Sequence, residues 1–166
     1  MGLKALYVEL YYGQYSKLEV REQITKYIAI NGNIPVNTLI ELLEINENYE
    51  SQLFSLIHTT DSNFFHNCLE AEILAAKFFL KILSAYQDAN VTPFRLCTIF
   101  SSLEAGFIGA PRNLAKSITY YPEWIGALYD ACDWCDEAWT IENTPHLGEA
   151  VQHQIRIINE WLADFI

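Results

Sequence analysis

Residues 63–87 leave little choice of fold. Their polar positions Glu70, Lys77, Lys81 and Ser84 trace a narrow strip on a helical wheel, and from Ile73 onward nearly every other residue is apolar. A helix that is apolar around most of its circumference has to be enclosed by other helices, because one neighbour covers only one side. The pattern predicts a central helix over 63–87, capped by Asp61 or Ser62.

The remaining segments supply the enclosure. Apolar residues recur at helical spacing over Lys17–Ile30, at Val20, Ile24, Tyr27 and Ile28, up to the breaker Asn31-Gly32-Asn33. Two further helices are predicted over 36–43 and 47–58, the first opened near Pro35 and the second carrying Tyr49, Leu53, Leu56 and Ile57. Thr92-Pro93 is an N-cap followed by proline, with Gly106 closing that helix, and Pro111 and Pro122 open two more. Thr144-Pro145 repeats the device before Leu147, Val151, Ile155, Ile158, Leu162 and Phe165. Residues 3–12 are rich in aromatic and β-branched side chains that suit a strand, yet no partner strand follows, so they are read as helix. The expectation is an all-α chain: one helical domain over 1–166, a bundle of about seven helices around a central apolar helix.

At 166 residues, 51% of them hydrophobic, the chain is long and apolar enough to bury a core without metals or disulfides. It has no uncharged span of about 18 residues, so no membrane crossing is expected. The N-terminal MGLKALYVELYYG has no long apolar region with a small-residue cleavage site, and Leu6 stands where a myristoylation signal takes Ser or Thr. A cytoplasmic location follows as the expectation, with Cys68, Cys97, Cys132 and Cys135 as thiols.

Charge narrows the partner. Twenty-one acids against 10 bases give a net charge of -11, which argues against nucleic acid and anionic membranes and favours a cationic partner. The imbalance is local. No Lys or Arg lies between Tyr27 and Ala76, and Arg156 is the one base from Ser117 onward.

Within that second window lies YDACDWCDEAW, residues 129–139. A redox Cys-x-x-Cys belongs at the start of a helix that follows a strand, where the helix dipole stabilises the thiolate. Cys132 and Cys135 instead fall inside a predicted helix begun near Pro122, among acids that oppose ionisation, and no second pair supplies zinc ligands. Helical spacing puts Cys132 and Cys135 on a core stripe with Ile125, Leu128 and Trp139. The same spacing puts Asp130, Asp133, Trp134 and Glu137 on the opposite side, with Asp136 beside them, as an indole anchor in an acidic rim. The bland alternative is a solvated face. Glu41, Glu44, Glu47 and Glu50 form a second acidic series across a helix junction.

No catalytic motif is present. A metal-binding bundle enzyme would have to use His66 with Glu70 and Glu149 with His153, neither of which is the Glu-x-x-His pair of di-iron bundles. A structural adaptor or homodimer is the third reading, and the oligomeric state is left open. In whole-chain character, and in the stretches DACDWCDEAW and ELLEINENYE, the chain resembles the immunity proteins of bacterial toxin systems, including those paired with contact-dependent growth-inhibition toxins. The resemblance implies a non-enzymatic inhibitor, without cofactor or metal, that binds a cognate basic toxin domain, often a nuclease, and covers its cleft.

Overall fold

The computed structural model describes residues 2–30, 49–101, 124 and 128–165. These are helical, and no strand occurs among them. They form six helices, α1 (Leu3–Tyr12), α2 (Lys17–Ile30), α3 (Tyr49–Thr60), α4 (Leu69–Gln87), α5 (Pro93–Ser101) and α6 (Pro145–Ala163), with a single helical turn at Leu128–Ala131 before α6. About seven were expected. Of those, the helix over 36–43 and the one opened by Pro111 lie outside the described residues. The chain divides into two compact units, Met1–Phe65 and His66–Ile166.

In the first unit the ambiguous segment is a helix, α1, and it is the core helix there. Leu6, Tyr7, Val8, Glu9 and Leu10 are all buried, as is Tyr12. Five consecutive buried positions mean cover on every side, and α2 and α3 both pack on α1. This packing overrides the strand preference of the aromatic and β-branched side chains. Tyr7 meets Phe54 of α3 at 5.6 Å and stands edge-on to Phe64 at 6.3 Å. Lys4 closes the same end, donating to Asp61 Oδ2 at 2.6 Å with its ammonium 5.3 Å from the centre of the Phe64 ring.

The α1–α2 corner is tight. Gly13 caps α1, its N–H donating to Glu9 O at 2.9 Å, and a Cβ at position 13 would run into the ring of Tyr15. Tyr15 in turn donates its hydroxyl to the buried Glu9 at 3.2 Å. Ser16 then starts α2 with a capping box: Glu19 N–H donates to Ser16 Oγ at 3.3 Å, and Ser16 N–H to Glu19 Oε2 at 2.7 Å. The helix runs over Lys17–Ile30 as its periodicity predicts, burying Val20, Ile24 and Tyr27.

The second unit is organised on α4, against which both α5 and α6 pack. Its expected polar strip is found: Glu70, Lys77, Lys81 and Ser84 are exposed, while Ala71, Ala75, Ala76, Phe78, Phe79, Ile82, Leu83 and Tyr86 are buried. Its start is not where the pattern put it. Asp61 does not cap this helix; its Oδ1 accepts from Asn63 N–H at 2.9 Å in a local turn, and Phe64 is buried in the first unit. The helix therefore begins at Leu69, and Cys68 is its cap, Sγ accepting from Ala71 N–H at 3.4 Å.

Thr92 caps α5 as expected, accepting from Arg95 N–H at 3.2 Å. Thr144 stands at the N-cap of α6 but makes no such bond; its hydroxyl donates to Thr140 O at 2.6 Å. The buried face of α6 is Leu147, Val151, Gln154, Ile158 and Leu162. Ile155 is half-buried and Phe165 exposed, so a glutamine takes the place the pattern gave to isoleucine. Gln154 Nε2 donates to the carbonyl of Trp124, whose ring packs on Phe79 at 5.6 Å.

Candidate functional site

The segment between the Leu128–Ala131 turn and α6 is where the structure departs furthest from the expected helix. The helix does not continue through the cysteines. Cys132 N–H still reaches Leu128 O at 3.2 Å, but Asp133 N–H turns back to Asp130 O and Cys135 N–H to Cys132 O, each at 3.2 Å. Trp134 has φ +65°, the left-handed region, which a bulky side chain enters only at a cost.

Aspartates explain the break in part. Asp136 Oδ1 accepts from Ala138 N–H at 2.8 Å, a local turn bond that competes with helix. Asn143 and Thr140 then lock the approach to α6: Thr140 N–H donates to Asn143 Oδ1 at 2.8 Å, and Asn143 Nδ2 to Ala138 O at 3.0 Å. The result is an ordered loop, not a helical face.

Asp130, Asp133, Trp134 and Glu137 thus do not share one side of a continuous helix, which spacing predicts; Asp130 lies in the helical turn and the other three in the loop that follows it. All are exposed, together with Asp136, and Trp134 is 93% exposed. None of the four carboxylates makes an ion pair with a described residue. The core stripe is only partly formed: Leu128 is buried, whereas Cys132, Cys135 and Trp139 are half-buried and Ile125 lies outside the described residues.

Of the second acidic series, Glu41, Glu44 and Glu47 lie outside the described residues. Glu50 opens α3 and is half-buried. Burial pushes its carboxyl above the usual range, and a hydrogen bond with Tyr49 opposes that rise. Its charge also reaches Tyr7 and Tyr11, whose phenols are raised mainly by burial. Glu50 is therefore built into the helical packing of the first unit.

The sequence missed a contact below the loop. Cys97, which spacing left isolated, lies buried on α5, the helix that packs on the Leu128–Ala131 turn. Cys132 first, then burial, push the Cys97 thiol strongly upward. Burial first, then Cys97 and Asp136, push Cys135 up to about 12. Only packing between α5 and the Leu128–Ala131 turn brings these residues together, and nothing in their spacing announces it.

The histidines are dispersed, and His58 serves packing. His58 Nε2 lies 2.6 Å from Phe64 O, with its ring against Phe54 and Phe65. His66 sits in the turn before α4, so His66 and Glu70 do not form the helical pair that a metal-binding bundle needs. His153 Nδ1 meets Arg156 at 2.7 Å on the exposed face of α6. Among the described residues no group of three or more His, Cys, Asp or Glu is arranged to hold a metal ion, and no helix is long and apolar enough to cross a membrane. The chain matches no protein-family model, no curated protein and no solved structure.

Proposed function

We propose that this chain is a protein-binding inhibitor of the immunity type, which docks on a basic, nuclease-type toxin domain through the loop of residues 130–137. The observation that carries this reading is Trp134: a large apolar ring, 93% exposed, on a left-handed turn among four exposed carboxylates that have no ion partner among the described residues. Water gives no reason to hold an indole in that position, whereas a partner pocket does. Buried tryptophans anchor protein interfaces, and an acidic rim steers a cationic partner and can occupy a cleft built for phosphate. The net charge of -11 acts in the same direction at longer range. The inhibitor needs no catalytic group of its own.

The test is to express the protein encoded by the neighbouring reading frame and measure its binding to this chain by surface-immobilised kinetics. A neighbour that is not a toxin or does not bind counts against the reading. Trp134→Ala is expected to weaken binding by about 2–4 kcal/mol, mainly through faster dissociation. Reversing Asp130, Asp133 and Glu137 to lysine together is expected to slow association about 10- to 100-fold at low salt and to flatten its salt dependence. Parent-like rates in both variants would mean that this loop is not the docking surface.

A further inference from the structure

Helices α1 and α3 pack side by side in the first unit and run in opposite directions. Lys4 reaches Asp61 at 2.6 Å and Tyr7 meets Phe54 at 5.6 Å, so residue numbers rise along one helix as they fall along the other. One turn further on α1, the Tyr11 ring lies 6.1 Å from that of Tyr7, and one turn back on α3, Glu50 shares the stripe of Phe54. Tyr11 and Glu50 therefore face each other across the helix pair. The Glu50 charge is felt at both phenols, as this pairing requires.

Beyond Glu50 the stripe continues in aromatic rings. Phe54 lies 4.2 Å from the His58 ring, which stands edge-on to Phe65 at 5.0 Å. Positions 50, 54 and 58 are one turn apart, so the row is about 12 Å long. Tyr11, Glu50, Phe54, His58 and Phe65 are all half-buried, each keeping part of its surface in water, while Tyr7 is buried.

Glu50 makes no ion pair with a described residue. The sequence has no Lys or Arg between Tyr27 and Ala76, and Lys4 is held on Asp61 at the other end of the helix pair, about 10 Å from Tyr11 along α1. A half-buried carboxylate without a counter-ion carries a desolvation cost that an incoming cation relieves, and the faces of the flanking rings are electron-rich. A guanidinium suits this setting better than an ammonium. Its flat fork pairs with both carboxylate oxygens while its face stacks on a phenol. The rings beyond offer apolar cover to roughly three or four extended residues of the same segment. We propose that Tyr11 and Glu50, continued by Phe54, His58 and Phe65, form a docking strip for an arginine followed by apolar residues on a partner protein. The strip belongs to the first unit and does not depend on what the 130–137 loop binds.

The full-length chain, labelled with nitrogen-15, is titrated with the capped tripeptide acetyl-Arg-Phe-Leu-amide and followed by amide chemical shifts. Saturable shifts centred on Tyr11, Glu50 and Phe54 are expected, with a Kd on the order of 1 mM. The neutral acetyl-Gln-Phe-Leu-amide should bind about 10-fold more weakly, and so should the arginine peptide to Glu50→Gln. Tyr11→Leu should weaken the arginine peptide about 3- to 10-fold. The proposal is overturned if the two peptides bind the parent alike, if argininamide alone binds as tightly as the tripeptide, or if the shifts gather on the 130–137 loop. It is equally overturned if nothing saturates by about ten times the expected Kd. The two peptides on the parent chain decide the matter even if Tyr11→Leu fails to fold. Loop docking is measured with a different partner, so either reading can fail without the other.

Discussion

Gly13 shows how much one missing side chain can carry. A methyl at this position would displace the Tyr15 ring, and Tyr15 holds its hydroxyl on Glu9, which is only 4% exposed. Gly13→Ala is therefore expected to cost about 1–3 kcal/mol in urea unfolding, although alanine is ordinarily the better helix residue. Two carboxyls in the same unit respond to acid with opposite signs. Asp61 is held below its usual range, first by the hydrogen bond from Lys4 and then by Asn63 N–H. Its contribution is present above the unfolded value of about 3.9 and is lost as pH falls through the lower folded value. Glu50 is raised by burial, so it opposes folding above its folded value and ceases to do so once protonated. Melting temperature is expected to gain from Glu50 as pH falls from about 7 to 4.5 and to lose from Asp61 below about 4. Glu50→Gln should remove the gain, and Asp61→Asn the loss, each relative to the parent.

At the scale of elements, what the sequence made legible was periodicity, and what it hid was competition. The stripe at Val20, Ile24 and Tyr27 and the strip at Glu70, Lys77, Lys81 and Ser84 are where spacing puts them, because one buried face repeats without interruption. Boundaries failed where a side chain had another use for its hydrogen bond. Asp61 spends its carboxylate on Asn63 and Lys4, and Asp136 bonds Ala138. The candidate loop follows the same logic: its residue types were readable, whereas its shape was decided by local bonds that a wheel diagram ignores. The capping box at Ser16 and Glu19 carries a sequence signature of its own, Ser-x-x-Glu ahead of an apolar stripe. Ser16→Ala is expected to lower stability by about 1 kcal/mol and, by hydrogen exchange, to loosen the first turn of α2 before the rest of the chain.

Across the whole molecule, the excess of negative charge is unevenly spread along the sequence, with Arg156 the one base from Ser117 onward. The carboxylates of the 130–137 loop stand in water without described ion partners, and the indole they surround is almost fully solvated, whereas Trp124 is fully buried. The protein consequently contains its own optical gauge of the loop. Trp134 should emit at the red edge of the spectrum, and an ionic quencher reaches it through the field of its neighbours. Relative to free N-acetyltryptophanamide, caesium should gain and iodide lose as quenchers of this red component at low ionic strength, the difference should shrink as salt is added, and Trp134→Phe should abolish it. A caesium-to-iodide quenching ratio equal to that of free N-acetyltryptophanamide would mean that the acids exert no local field. A binding partner that shields the ring would announce itself in the same signal, with no label attached.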